Sequence, residues 1–555
     1  MRSARRGAIV AAGVATALLL AGCSTERKAT TTDDGAGPTR VERVRMIGGD
    51  WGFPTPYGGN SRGESVAVTT LLYDSLLWKD ANGTTIPWLA TAWEVSADGR
   101  EWRFTIRDGV RWHDGTPVTA DDVAFSHEYA TKGPGKNAST FSGRIPVEAV
   151  VEGTNRVMLR TEAPYAPFIE RVGIGIPIVP KHVWADVADP VKYQDPKALT
   201  GSGPYRLETY DLSAGTYLFT SNEDYFMGPP YVKRLEFVPA SNELLALQRG
   251  ELDVASHGVG GGKIDFPIAQ ASLEALDKTR YGQVTAPGVS GAILHFNISR
   301  GFPYTDKRFR QAIAYAVDRE DLVKRILLGG GEVGMMGMLE PSNSPWIEPN
   351  LPTYKRDVAK AKTLLDQAGL RDANGDGTRD LPDGQPFVPE VLTSPGWNPK
   401  TPELLKEYLR EVGIDIRITS LDQAGAQAAA ADARYEMAVL GYGLWTDPDG
   451  FRTTLSSKST SKSFAKVHGY VNARFDELAA QQLSQVDVAQ RTRTAQEMQR
   501  IVAEDVPAIP LYVATRTIVF DRTVLDNWYY AAGGGPVYPG MLNKLIFVSD
   551  KRTGF

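Results

Sequence analysis

The run from Phe387 to Leu440 leaves the fewest choices of fold, because its apolar pattern alternates between a strand period of about 2 and a helix period of about 3.6. Phe387 to Thr393 has the composition of a strand. Thr401-Pro402 follows, a capping residue with proline at the first helical position, and Leu404, Leu405, Tyr408 and Leu409 form one stripe before Gly413 ends the helix. Ile414, Ile416 and Ile418 alternate as a second strand, Leu421 to Ala433 is an alanine-rich helix, and Tyr435 to Leu440 is a third strand. A β-α-β-α-β unit predicts a parallel sheet covered on both faces. Open α/β sheets bind ligands beyond the carboxyl ends of their strands. The loops at those ends are Ser394 to Pro399, with Trp397, and Gly441 to Gly450, with Tyr442, Trp445, Asp447 and Asp449. Three aromatics and two acids there predict a cleft with large apolar faces and a few placed polar groups.

The remaining chain surrounds this unit with other patterns. Its 555 residues suffice for several domains of roughly 150 residues each. A hydrophobic fraction of 42% with 23% charged residues marks an ordered globular protein. A net charge of −5 gives no basic surface for nucleic acid. Val41 to Ile47 reads as a strand running into Gly48-Gly49-Asp50-Trp51-Gly52, a loop whose glycines allow close backbone approach. From Trp93 onward the pattern is of hairpins, with Trp102, Phe104 and Ile106 alternating with Glu101, Arg103 and Thr105. Thr119 and Asp122 form a capping pair for a helix through Tyr129, and the stretch to about Thr200 reads as strand-like and rich in proline. Asn242 to Gly250 is a short capped helix and Glu251 to Ala255 the next strand; Ala292 to Asn297 is another, followed by a helix opened by Asp306.

The N-terminus reads as a targeting segment. Arg2, Arg5 and Arg6 precede an apolar run from Ala8 to Leu20, too short for a permanent span, and Leu20-Ala21-Gly22-Cys23 follows. That tetrapeptide resembles the bacterial lipobox, which implies cleavage before Cys23 and lipidation of its thiol. Cys23 is the only cysteine, so no disulfide is expected. Ser24 to Thr39 reads as a flexible tether. The expected product is a water-soluble body held to a membrane surface through lipidated Cys23.

Several runs carry a family signature. Tyr73-Asp74-Ser75-Leu76-Leu77, Leu89-Ala90 to Trp93, Ser96-Ala97-Asp98-Gly99, the segment Trp112-His113-Asp114-Gly115 through Ala120-Asp121-Asp122-Val123, Gly201-Ser202-Gly203-Pro204-Tyr205, and Asp306 to Arg319 closely resemble the family 5 extracellular solute-binding proteins, the dipeptide, oligopeptide and nickel receptors of ABC importers. The resemblance implies an α/β, type II periplasmic-binding-protein fold, with two jaws of mixed or parallel sheet and an inserted β-rich domain. Domain I would comprise residues 41–75, 200–284 and 507–555, domain II the insertion 76–199, and domain III the closing jaw 285–506. It further implies that solute, most simply an oligopeptide, lies between domains I and III of a monomer and passes to a permease with its ATPase subunits. The candidate ligand set is Asp50, Trp51, Asn297, Trp397, Tyr442, Trp445 and Asp447, with no cofactor and no catalytic group. In peptide-binding members an aspartate on the loop equivalent to 441–451 takes the ligand's α-amine; Asp447 is the best match, so Asp447→Asn is expected to weaken binding of free-amine peptides. The loop is nevertheless shorter than in those members, and Pro395-Gly396-Trp397 lacks the arginine that dipeptide receptors place there. The shorter loop aligns Asp447 equally with a second family motif that lacks the amine-binding role, and the missing arginine favours a longer peptide or another solute: a nickel chelate, haem or an oligosaccharide.

Other signals are weaker. Asp372, Asn374, Asp376, Gly377 and Asp380 match calcium-loop spacing, with Asp383 in place of the closing glutamate; the resemblance favours a plain turn over a metal site. The six histidines lack zinc-site spacing and Gly258 to Lys263 lacks the pattern of a phosphate loop; a secreted hydrolase is the remaining alternative.

Overall fold

The computed structural model describes residues 40–49, 51–58, 65–138, 141, 144–211, 213–256, 268–339, 346–395, 400–443, 447–459, 468–525, 528 and 543–549. Cys23, Asp50, Trp397 and Trp445 lie outside the described residues. Among the described residues four sheets carry the fold, with strands numbered along the chain. The first joins β1 (Val44–Ile47), β8 (Tyr205–Asp211), β9 (Thr216–Ser221) and β10 (Arg234–Val238) in the order β1-β10-β9-β8. A hairpin of β2 (Leu77–Lys79) and β3 (Thr85–Pro87) leads to an antiparallel layer of β4 (Ala90–Val95), β5 (Glu101–Ile106), β6 (Glu148–Val151) and β7 (Arg156–Arg160), ordered β4-β5-β7-β6. The alternation along β5 does its expected work: Trp102, Phe104 and Ile106 are buried, while Glu101 on the other face pairs with Arg103 and Arg160. Trp102 stacks on Phe168 with ring centroids 4.6 Å apart. The helix Ala120–Thr131 that covers this layer opens with the predicted capping box between Thr119 and Asp122.

The largest sheet is mixed. β14 (Glu390–Thr393) lies between β15 (Arg417–Ser420) and β16 (Met437–Gly443), parallel to both. Helices Lys400–Arg410 and Gln423–Ala431 make the crossovers. Beyond β16 the direction reverses: β12 (Tyr281–Phe296) runs antiparallel to it, and β17 (Ala508–Asp521) antiparallel to β12. β11 (Val254–Ala255) and β13 (Gly331–Val333) pair with β17. The β-α-β-α-β core is thus parallel as expected, but the whole sheet is not.

Three local expectations need correction. Thr401 is not a cap: the helix begins at Lys400, and the buried Thr401 hydroxyl shares a 2.9 Å hydrogen bond with the Tyr512 hydroxyl. β16 extends three residues past Leu440 because its backbone finds β12, pairing Tyr442 with Gly291 and Gly443 with Ser290. Residues 161–200 are not strand-like either; prolines at 164, 167, 177, 180, 190 and 196 cannot donate to a ladder, and the chain there forms helical turns at Ile169–Ile174, Lys181–Trp184 and Pro196–Leu199.

Among the described residues two large groups of apolar cores result, besides a small cluster that includes Leu247, Ala255, Leu273, Tyr281 and Val519. One runs from Val44 to Val254 and takes in Ile518 to Val548, so the four-stranded sheet and the antiparallel layer share it. The other, in adjoining clusters, is built from Ala292 to Ala514. β12 and β17 pass from one group to the other: Val284 and Ile518 pack on the first, Ala292 and Ala514 on the second. Between those points the β12–β17 ladder breaks register, from Ala286 to Ser290.

Candidate functional site

The carboxyl ends of β14 and β16, from which the candidate loops depart, lie at one edge of the sheet, as a parallel β-α-β unit requires. β14 ends at Thr393 and is followed by buried Ser394, which leads into the segment holding Trp397. β16, its neighbour in the sheet, leads into the segment holding Trp445. Tyr442 is therefore a strand residue whose backbone is fixed in the ladder with β12, not part of the loop beyond it.

Two candidates serve the framework. Trp51 is buried in the first core, stacked on Tyr217 at 5.4 Å and edge-on to Phe237 at 5.3 Å. Its backbone N–H donates to the Tyr217 hydroxyl at 3.3 Å, and that hydroxyl donates to the Gly52 carbonyl at 3.0 Å. Asn297 is fully buried at the end of β12, and its amide donates to the carbonyls of Ala433 and Tyr435 at 2.9 and 2.8 Å. It thereby pins β12 to the turn that enters β16.

Asp447 has a more specific occupation. Its two oxygens receive both terminal nitrogens of Arg491, at 2.8 and 2.6 Å, and one also accepts the Asp449 N–H at 2.8 Å. The Arg491 side chain is only 5% exposed. Gln482 Oε1 accepts from its Nε and Nη2 at 3.0 and 2.8 Å, and the guanidinium lies 5.0 Å from the Trp346 ring centre. Buried pairs hold when each nitrogen of the guanidinium finds an acceptor in this way. Asp449, also buried, takes Arg452 Nε at 2.6 Å and lies 3.5 Å from Arg171, a residue of the antiparallel layer's connecting segment. Nearby Glu170 pairs with Lys79 at 2.7 Å, and burial raises its pKa. The sequence reading missed Arg491. Its signal was present: in the helix Val488–Asp505 it shares the buried stripe of Ala495, Met498 and Val502, and an arginine on such a stripe calls for an acid partner.

The calcium-like loop spends its oxygens on its own amides. Asp372 accepts from Gly375 and Gly377, Asn374 from Asp376, Asp376 from Thr378, and buried Asp380 from Ala373, at 2.7 to 3.0 Å. Among the described residues no three His, Cys, Asp or Glu side chains are grouped to hold a metal. His127 is wholly buried with Nδ1 2.8 Å from the Val123 carbonyl, and burial pushes its pKa down to about 4. His295 and His468 stack at 5.5 Å, and burial lowers both.

Comparison with known proteins follows this architecture. The family model for bacterial extracellular solute-binding proteins, family 5 Middle, matches residues 84–463. The chain belongs to that family. Family 5 proteins are extracytoplasmic binding proteins of ABC importers rather than enzymes. Among similar relatives, Protein XP55 of Streptomyces lividans is 31% identical over 82% of this chain and 80% of its own. The oligopeptide-binding protein AppA of Bacillus subtilis is 26% identical over 89% of this chain and 91% of its own. The structure of NikA from Brucella suis in complex with Fe(III)-EDTA superposes with a TM-score of 0.75, covering 90% of this chain and 98% of that one at 23% identity. As in the fold expected for family 5, the protein is mixed α/β with several sheets. Among the described residues no helix is long and apolar enough to cross a membrane.

Proposed function

We propose that this family 5 protein captures a peptide, or another solute of similar size, between the body built on the first core and the lobe built on the seven-stranded sheet, and carries it unchanged to an ABC permease. The observation that carries this reading is the pair of separate cores joined by β12 and β17 with a broken ladder between them. Two rigid bodies on two strands form a hinge, and solute binding on both sides of the cleft would favour the closed state. Trp397, Tyr442 and Trp445, by their place at the strand ends, would supply area without sequence preference. Domain limits follow the family pattern given above, and Cys23 would bear the lipid that keeps the receptor at the membrane.

A second reading rests on Asp447. Its commitment to Arg491 favours a solute not held there by a free α-amine: a long peptide gripped along its main chain, or a non-peptide solute such as a metal chelate. Native mass spectrometry of freshly purified protein separates these. A ladder of co-purifying peptide masses is expected; a single non-peptide mass would replace the peptide reading with the second, and any cargo emerging cleaved would overturn the receptor role. Mass analysis of the mature N-terminus should begin at Cys23 with a lipid increment that Cys23→Ala abolishes.

A further inference from the structure

The two bodies also touch away from β12 and β17, and this contact extends the capture reading above, on which it rests. After β7 the chain passes through Tyr165 and Ala166 into the turn Ile169–Ile174, all on the side of the first core. The Ala166 N–H donates to the Leu483 carbonyl at 2.7 Å, at the end of the helix Ala473–Ser484 in the other lobe. The Leu483 side chain packs against the first core, and a Cβ on Gly99, in the β4–β5 turn, would lie 3.0 Å from Val486 Cγ1. Arg171 reaches Asp449 at 3.5 Å across the same boundary. Asp449 is anchored on its own side by Arg452, and the Arg171 carbonyl on its side by Arg144. Burial raises the Tyr165 hydroxyl's pKa, and the field of Asp449 raises it further, as expected where these charges meet.

The geometry points to a latch: Ala166–Leu483 and Arg171–Asp449 together hold the two bodies closed independently of solute and set how often the unloaded receptor opens. The backbone bond gives the contact its register and Leu483 its apolar area. The ion pair, with Arg171 at 40% exposure, makes it adjustable by salt. Opening about β12 and β17 must break all three, so the layer on the first core acts as a tie between the bodies in addition to those two strands.

The test is amide exchange of the intact protein, read on peptides covering Ala166, together with its radius of gyration in solution. Arg171→Met should raise Ala166 exchange about fivefold and enlarge the radius without added solute, while Ile178, whose N–H donates to the Asp74 backbone carbonyl at 2.8 Å inside the first body, stays unchanged. Arg171→Lys should restore both within about twofold. Ala166 exchange in Arg171→Met that stays within about twofold of the parent, a rise with no change in radius, or a lysine variant as fast as the methionine one, each overturns the latch. A tryptic casein digest added to the parent protein should slow Ala166 exchange. If the digest does nothing while Arg171→Met still opens the protein, the latch stands and the peptide reading falls.

Discussion

Exchange of Asp447 for asparagine tests the central geometry of the candidate site. The carboxylate meets Arg491 through two hydrogen bonds of 2.8 and 2.6 Å. Charges about 4 Å apart at an effective dielectric of about 20 attract by about 4 kcal/mol, and removing one member of a buried pair costs about 3–5 kcal/mol because the other remains desolvated. Asparagine keeps one acceptor, so the lower figure, about 3 kcal/mol, is expected for Asp447→Asn. Arg491→Met should cost about 2 kcal/mol, since Asp447 can turn toward water. The double variant should then lose about 3 rather than about 5 kcal/mol, a coupling of about 2 kcal/mol. Urea unfolding of the four proteins, followed on the transition of the seven-stranded lobe, measures this. A matched pair of peptides, free and acetylated at the amine, supplies the second arm. If Asp447 acts through Arg491, both lose affinity alike in calorimetry. Additive stabilities, or a loss of about tenfold confined to the free-amine peptide, would refute the argument and assign Asp447 to the ligand.

Other outcomes follow from burial. His127 is kept neutral down to about pH 4 by its surroundings, whereas in an unfolded chain it protonates near pH 6.5; its contribution is complete above pH 6.5 and is lost by about 3 kcal/mol as pH falls to 4. Urea midpoints across that range should decline less steeply in His127→Asn, and parallel slopes would contradict this. Lys544 lies fully buried against Asp74 at 2.5 Å, 4.1 Å from the Trp78 ring centre. Lys544→Met strands the Asp74 charge, so a loss of about 3 kcal/mol is expected, with faster proteolysis at the C-terminus; an unchanged melting temperature would show the pair to be dispensable. Gly201→Ala places a methyl group on the Leu72 carbonyl, and expression as inclusion bodies is expected; a soluble variant with the parent's melting temperature would show that the backbone yields there.

How much was legible in the chain depended on the range of each interaction. The capping box at Thr119 and Asp122, the stripe of Leu404, Leu405, Tyr408 and Leu409, and the alternation in β5 are settled by neighbours within a few residues. Such patterns state the element before any tertiary contact forms. That β14, β15 and β16 run parallel was equally readable, since strands alternating with helices form β-α-β crossovers.

What lay outside that range was decided by partners far along the chain. β16 outran its apolar pattern because β12, about 150 residues earlier in sequence, offered its backbone. Thr401 left its capping role for a hydroxyl on Tyr512, and Asp447 pairs with Arg491, 44 residues away. None of these pairings leaves a local mark beyond one misplaced polar residue on an apolar face. Local sequence could therefore name the elements and their family, while folding settled which charges remain for a solute, because a buried ion must find its partner wherever the chain brings one within about 4 Å.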